Sequence, residues 1–254
     1  MKRFEGRRVL ITGAGSGIGQ ATVHRILAEG GIVVAVDVSE AGLAATHQRA
    51  EADGTADQLS TVVVDISDEA SVRAGVGGAI TGLGGLDVLV NAAGILRSAH
   101  TEQTTLEFWN RMLAVNLTGT FLVTREALPA LLATGRGVVV NFSSTSASFA
   151  HPYMAAYAAT KGGIQSFTHA IAAEYAKQGL RAVSVAPGSI ASGMTADPGL
   201  PADADMSWFV KLQPALGQGF AGPETVAGVI AMLASDDGAF VTGTEIRIDG
   251  GTHA

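Results

Sequence analysis

The sequence predicts an α/β fold, a doubly wound parallel sheet with helices on both faces, and three observations predict it. Short β-branched runs recur along the chain, longer helical patterns separate them, and the runs are continuously apolar instead of alternating. Continuous apolarity marks strands that are covered by helices on both sides. The 254 residues are 47% hydrophobic and 15% charged, enough apolar matter for one large core.

The elements follow in order. Strands are predicted at 9–11, 32–36, 61–64, 88–90, 138–140, 183–185 and 245–248. Helical segments fall between them, among them 17–28, 68–80, 105–132 and 155–177. A strand–helix–strand order of this kind closes a parallel sheet. No repeat, low-complexity tract or linker interrupts it, so 1–254 is expected to be one domain. Residues 191–222 stand apart: they hold Pro198, Pro201 and Pro214, with Pro223 just beyond, and the large apolar residues Met194, Met206, Trp208 and Phe209. This stretch is expected to be a substrate lid.

Composition narrows the function. Sixteen basic and 23 acidic residues leave a net charge of −7, which argues against nucleic acid or an anionic membrane as partner. With no cysteine, disulfides, thiolate catalysis and cysteine-bound zinc are excluded. The six histidines show no ligand spacing, and no metal is expected. The apolar run after the basic start is too short for a signal peptide, and no 18-residue apolar stretch follows. A cytoplasmic enzyme is the expectation.

The first strand runs into Thr12, Gly13, Ala14, Gly15, Ser16, Gly17, Ile18 and Gly19, and a helix follows. Glycines at such a turn let the backbone approach a pyrophosphate, while the free amides of the helix start offer it partial positive charge. The spacing is TGxxxGIG and not GxGxxG. Asp37 closes the second strand eighteen residues after Gly19, where a carboxylate accepts hydrogen bonds from ribose hydroxyls and repels a 2′-phosphate. Neither Ser16 nor Val38 supplies a cation to offset that repulsion, so NAD is expected over NADP. Asp65, at the end of the third strand, suits either an adenine contact or helix capping.

Tyr157 and Lys161 lie four apart in a helical segment and share one face. A phenol ionises near pH ~10, so acid/base work near neutrality needs roughly 4 kcal/mol of help. An ammonium about 4 Å away at an effective dielectric near 20 supplies ~4 kcal/mol. On this reading Lys161 draws the Tyr157 pKa down, although the spacing alone also arises by chance.

Together with TGAGSGIG at the start, the segments NAAG at 91–94, VNLTGTF at 115–121, SS at 143–144, YAATK at 157–161, VAPGSI at 185–190 and IDGG at 248–251 give a chain that resembles the short-chain dehydrogenase/reductase family almost end to end. The resemblance implies a Rossmann-like sheet and direct hydride transfer between a substrate carbon and a nicotinamide, with Tyr157 exchanging the proton on the substrate oxygen. It makes Ser144, more than Ser143, the hydrogen-bond partner of that oxygen, and gives Lys161 the nicotinamide ribose. Asn116 would perturb its helix and hold a water leading from Lys161 to solvent. The cofactor contacts implied are Gly13, Ser16, Gly17, Ile18, Gly19, Asp37, Val38, Asp65, Ile66, Asn91, Ala92, Ala93, Gly94, Tyr157, Lys161, Pro187, Gly188, Ile190 and Ser192. Ser192 stands where relatives usually carry threonine, and Ala147 where glycine is common.

Substrate contacts are expected from Ser144, Tyr157, His151, Tyr153 and Met194, in a mostly apolar pocket suited to a secondary alcohol or a hydroxysteroid-like molecule. One alternative is a 3-oxoacyl-(acyl-carrier-protein) reductase using NADPH, against which stand the net charge and the few basic residues near the site: Arg97, Arg136 and Lys177. Another is a non-catalytic NAD-binding sensor, which would have no need of Asn116, Ser144, Tyr157 and Lys161. An extended sugar-nucleotide relative would need more chain after Ile190. The helices at 105–132 and 155–178 carry more apolar residues than one core needs, and the C-terminal IRIDGGTHA is similar to that of relatives that form homotetramers.

Overall fold

The computed structural model describes residues 2–217 and 219–254. In chain order the strands and helices are β1 (Arg8–Thr12), α1 (Gly17–Ala28), β2 (Ile32–Asp37), α2 (Glu40–Ala52), β3 (Leu59–Val63), α3 (Glu69–Leu83), β4 (Val88–Asn91), α4 (Leu106–Met112), α5 (Gly119–Ala133), β5 (Val138–Phe142), α6 (Ala155–Tyr175), β6 (Arg181–Pro187), α7 (Gly193–Ala196), α8 (Pro223–Ala234) and β7 (Glu245–Ile248). The seven strands form one parallel sheet in the order β3-β2-β1-β4-β5-β6-β7. The chain is thus a single-domain, Rossmann-like α/β fold.

Each strand serves two cores, and this is why the runs are apolar throughout. In β1, Val9 and Ile11 pack beneath Val23, Ile26 and Leu27 of α1 and Val226 and Ile230 of α8, while Leu10 faces the opposite way. That second face is covered by Val72 and Val76 of α3, Leu122 and Val123 of α5 and Ile171 of α6. Side chains alternate sides along a strand, so a strand sandwiched between helices has no polar face to show.

The strand order reverses direction between β1 and β4, since the chain leaves β1 toward β2 on one side and returns to β4 on the other. In open parallel sheets the crevice at that switch, beyond the carboxyl ends of the strands, is where ligands bind. The segment predicted as one helix over 105–132 is instead α4 and α5 joined by a π-helical turn, Leu113–Thr118, with Asn116 inside it. A π turn carries one residue more than an α turn and marks functional positions more often than chance. The expected helix over 155–177 ends as α6 at Tyr175 and tightens into a short 3₁₀ turn, Ala176–Gln178. Among the described residues no helix is long and apolar enough to cross a membrane.

Candidate active site

A cavity of about 640 Å³ occupies the switch crevice. Its floor begins at the glycine-rich turn. Gly13 has φ +68°, and a Cβ there would lie 2.7 Å from the backbone of Ala93, so the loops after β1 and β4 touch through a position that only glycine fits. A Cβ on Gly19 would strike the carbonyl oxygen of Gly13, which seats the start of α1 directly on the turn. Ser16 precedes α1 in extended conformation, no side chain caps the helix, and no acidic residue sits in its first turn. The amides of that turn therefore face the cavity unneutralised, as an anion-binding cradle requires.

Asp37 closes β2 at the next edge of the cavity. Its carboxylate accepts from the amide of Gly15 at 2.9 Å and from the amide of Ser39 at 2.9 Å, which fixes its orientation toward the turn. Val38 beside it is 67% exposed. Asp65 lines the same end and accepts from both the amide (2.9 Å) and the hydroxyl (2.6 Å) of Ser67. The Ser67 hydroxyl bond, chiefly, holds the Asp65 carboxyl below the usual range. The cap of α3 itself is Asp68, so the capping role weighed for Asp65 falls to a neighbour. Arg111, which the sequence reading did not single out, lines the cavity here and donates to the Ser67 hydroxyl at 3.2 Å.

The opposite end holds the polar side chains of β5 and α6. Tyr157 sits in the first turn of α6 and Lys161 one turn later, with Nζ 5.5 Å from the Tyr157 ring centroid. Lys161 is buried and donates to the carbonyl oxygen of Phe142 at 2.7 Å, tying α6 to the end of β5. Ser144 follows β5, accepts from the amide of Ser146 at 3.2 Å and lies close enough to the Tyr157 hydroxyl to draw its pKa down. Ser143 instead bonds the carbonyl of Lys161 at 3.3 Å. The chemistry of Tyr157 corrects the sequence expectation. Burial pushes its phenol up to about 12, outweighing the opposite effect of the Ser144 hydroxyl, and burial lowers Lys161 to about 8. The reason is that desolvation penalises both charged forms, while the ammonium is aimed at the Phe142 carbonyl.

Asn116 is fully buried in the π turn and does not line the cavity. Its side chain accepts from the amide of Ile95 at 2.8 Å, and donates to the carbonyl of Ile95 at 2.9 Å and to Thr160 at 3.2 Å. It thereby fixes the loop after β4 against α6, and a Cβ on Gly94 would lie 3.2 Å from its Oδ1 and 3.7 Å from Lys161 Nζ. Asn91 also departs from expectation. It pairs in register with Asn141 of β5 and donates to Thr124 and Asn141, both at 2.9 Å, inside the sheet and away from the cavity lining. Ala92, Ala93 and Gly94 do line the cavity, as do Ser16, Gly17, Ile18, Ile66, Pro187, Gly188, Ile190 and Ser192. Ser192 caps α7 in a reciprocal capping box with Thr195, which the serine hydroxyl is able to make in place of threonine.

On the substrate side His151, Met194, Met206 and Phe209 line the cavity. Tyr153 does not: its hydroxyl accepts from the amide of Asp205 at 2.8 Å, and its ring packs edge-on against His100. Its backbone φ of +65° lies in the left-handed region, which is uncommon for a residue other than glycine. Trp208 is also outside, 54% exposed beneath Lys211. Thr145, just after Ser144, and Leu200, Leu212 and Gln213 of the 191–222 segment also line the cavity, and Thr252 does so without having been anticipated. The two glycines at 250 and 251 were the available signal for Thr252: with φ of +62° and +81° they turn the tail back over the end of β7.

A family model described as short chain dehydrogenase matches residues 7–200. The chain belongs to the short-chain dehydrogenase family. It is 38% identical over 249 residues to the 3-oxoacyl-[acyl-carrier-protein] reductase FabG of Thermotoga maritima, covering 98% of each chain. It is 37% identical over 259 residues to the levodione reductase of Leifsonia aquatica, covering 99% of this chain and 96% of that one. A dehydrogenase/reductase from Sinorhizobium meliloti 1021 superposes on it with a TM-score of 0.89 at 31% identity, over 100% of this chain and 98% of the other. This short-chain dehydrogenase is accordingly an oxidoreductase of the alcohol/ketone class that binds a nicotinamide cofactor, and the cradle at Gly13, Gly19 and the start of α1 fits a dinucleotide.

Proposed function

We propose that the chain is an NAD-dependent dehydrogenase of secondary alcohols and ketones, with Tyr157 as the acid/base. The observation that carries this reading is the division of one cleft: a hydroxyl pair, Ser144 and Tyr157, at one end, and a carboxylate, Asp37, at the other. Gly13, Ser16, Gly17, Ile18 and Gly19 would hold the pyrophosphate, Asp37 the adenosine ribose, and Asp65 and Ile66 the adenine. Lys161, whose Nζ is 3.7 Å from where a Gly94 side chain would begin, would hold the ribose next to the reacting ring. A bound oxidised dinucleotide would supply the hydride-accepting carbon and a positive charge at the Tyr157 end.

Ser144 and Tyr157 then grip the substrate oxygen from one side. With its phenol pushed up to about 12, Tyr157 is protonated at neutral pH and ready to donate to a ketone oxygen. Asn116 acts through position, holding the loop after β4 against the helix that carries Tyr157. Residues 191–222 serve as the lid, the chain functions as one domain in the cytoplasm, and it assembles as a homotetramer.

The likeness to a carrier-protein reductase favours one rival reading, an NADPH-dependent reductase of acyl thioesters. Asp37 opposes it, because a ribose 2′-phosphate would meet a carboxylate, and Arg111, the lining cation at that end among the described residues, donates to Ser67 next to Asp65. A pure NAD sensor has no use for the Ser144–Tyr157 pair. Steady-state assays with both coenzymes separate these readings. The expected kcat/KM is at least tenfold higher with NAD, and a preference for NADP overturns the assignment.

A further inference from the structure

We infer that the substrate half of the cleft takes uncharged, largely apolar alcohols and ketones and turns away substrates bearing a carboxylate, sulfonate or phosphate. The inference rests on the hydride-transfer reading above and narrows it. Leu96, Met154, Met194, Leu200, Met206 and Phe209 line the same cavity as Ser144 and Tyr157. Among the described residues, the charged side chains that line the cavity are Asp37, Asp65, Arg111 and Lys161. Asp37, Asp65 and Arg111 cluster at the ends of β2 and β3, where Arg111 is held by Ser67. Lys161 is directed at the Phe142 carbonyl.

Two further groups could have supplied positive charge and do not. Arg97 lies outside the lining and donates to the backbone carbonyls of Leu96 and Asp197, at 2.9 and 3.3 Å. His151 does line the cavity, but its Nδ1 lies 3.1 Å from the carbonyl oxygen of Phe149 and must donate to it. The other nitrogen, 3.3 Å from the Thr145 hydroxyl, is then an acceptor, and burial lowers the pKa of the ring so that it stays neutral. Beside it, outside the lining, the ring of His253 stacks on Phe149 at 4.0 Å. An anionic substituent entering here leaves water and meets no cation beyond Lys161, which is engaged by the Phe142 carbonyl, a loss that apolar contacts cannot offset. Thr145 and Gln213 remain as neutral hydrogen-bonding groups for a second hydroxyl or carbonyl.

Matched substrates test this. Initial rates with NAD and with NADP are measured for cyclohexanol against 3-hydroxycyclohexanecarboxylate, and for 4-methylpentan-2-ol against 4-hydroxypentanoate. The neutral member of each pair is expected to have kcat/KM at least 100-fold higher. Leu200→Arg, which places a cation on the lid wall, should raise the value for the carboxylates at least tenfold. Carboxylates turned over as well as their neutral partners overturn the inference, as does turnover of no neutral member by protein that binds NAD in calorimetry. If the charge preference is seen only with NADP, the coenzyme assignment falls and the substrate class stands.

Discussion

Lys161 is buried among groups that strip it of water, and its pKa falls to about 8 where an unfolded chain would keep it near the ordinary lysine value. A lysine whose folded pKa is lowered destabilises the fold while it is charged, so the penalty is present below pH 8 and fades as pH rises toward about 10.5. A shift of this size corresponds to about 3 kcal/mol. Lys161→Met should therefore melt higher than the wild type at pH 7 and lose turnover at the same time. The gap should close between pH 8 and about 10.5. Tyr157, whose raised pKa withdraws stability only above about pH 10, is common to both proteins and cancels. A variant that melts lower than wild type at pH 7, with a gap independent of pH, contradicts this account of the site. The residue types were legible in the sequence, since Tyr157 and Lys161 at helical spacing announce themselves. The sign of their pKa shifts was not, because burial and the Phe142 carbonyl belong to the folded chain. Tyr153 was misplaced for the same reason: its positive φ and its bond to Asp205 reach across 52 residues.

At the scale of elements, the strands were readable from their apolar runs, and all seven fall within a few residues of the predicted spans. The helix over 105–132 was readable in extent but not in form. Its π turn follows from Asn116, whose amide prefers the backbone of Ile95 to a place on a regular helix. Asn91 illustrates the opposite limit: the resemblance of NAAG implied a cofactor contact, yet its register partner is Asn141, and its Nδ2 donates to Asn141 and Thr124 within the sheet. The helices α4 and α5 also carry the case for assembly. Leu106 is exposed, and Phe121 is exposed at an edge-to-face contact with Phe167 of α6 under the guanidinium of Arg125. Apolar surface on facing helices is buried when copies pack, and the proposed tetramer, whose number of copies rests on the resemblance alone, predicts that light scattering reports four chains. A single-chain mass contradicts the proposed tetramer.

At the scale of the whole molecule, the site exists because a parallel sheet brings to one edge the ends of β1, β2 and β3 on one side of the switch and β4, β5 and β6 on the other. The glycine cradle, Asp37, Ser144 and α6 are far apart in sequence and meet only there. The sequence motifs identified the parts because each has local chemistry, whereas the tail from Gly250 to Thr252, which completes the cavity, depends on β7 pairing with β6. The central claim is that the Tyr157 hydroxyl exchanges the proton on a substrate oxygen within a cleft that binds NAD independently of it. The most direct measurement is formation of the reduced coenzyme by Tyr157→Phe beside a calorimetric titration of the same protein with NAD. The account predicts turnover reduced at least 1000-fold, roughly the scale of a lost general acid/base, with the NAD dissociation constant within twofold of wild type. Turnover at the wild-type rate by that variant would contradict it.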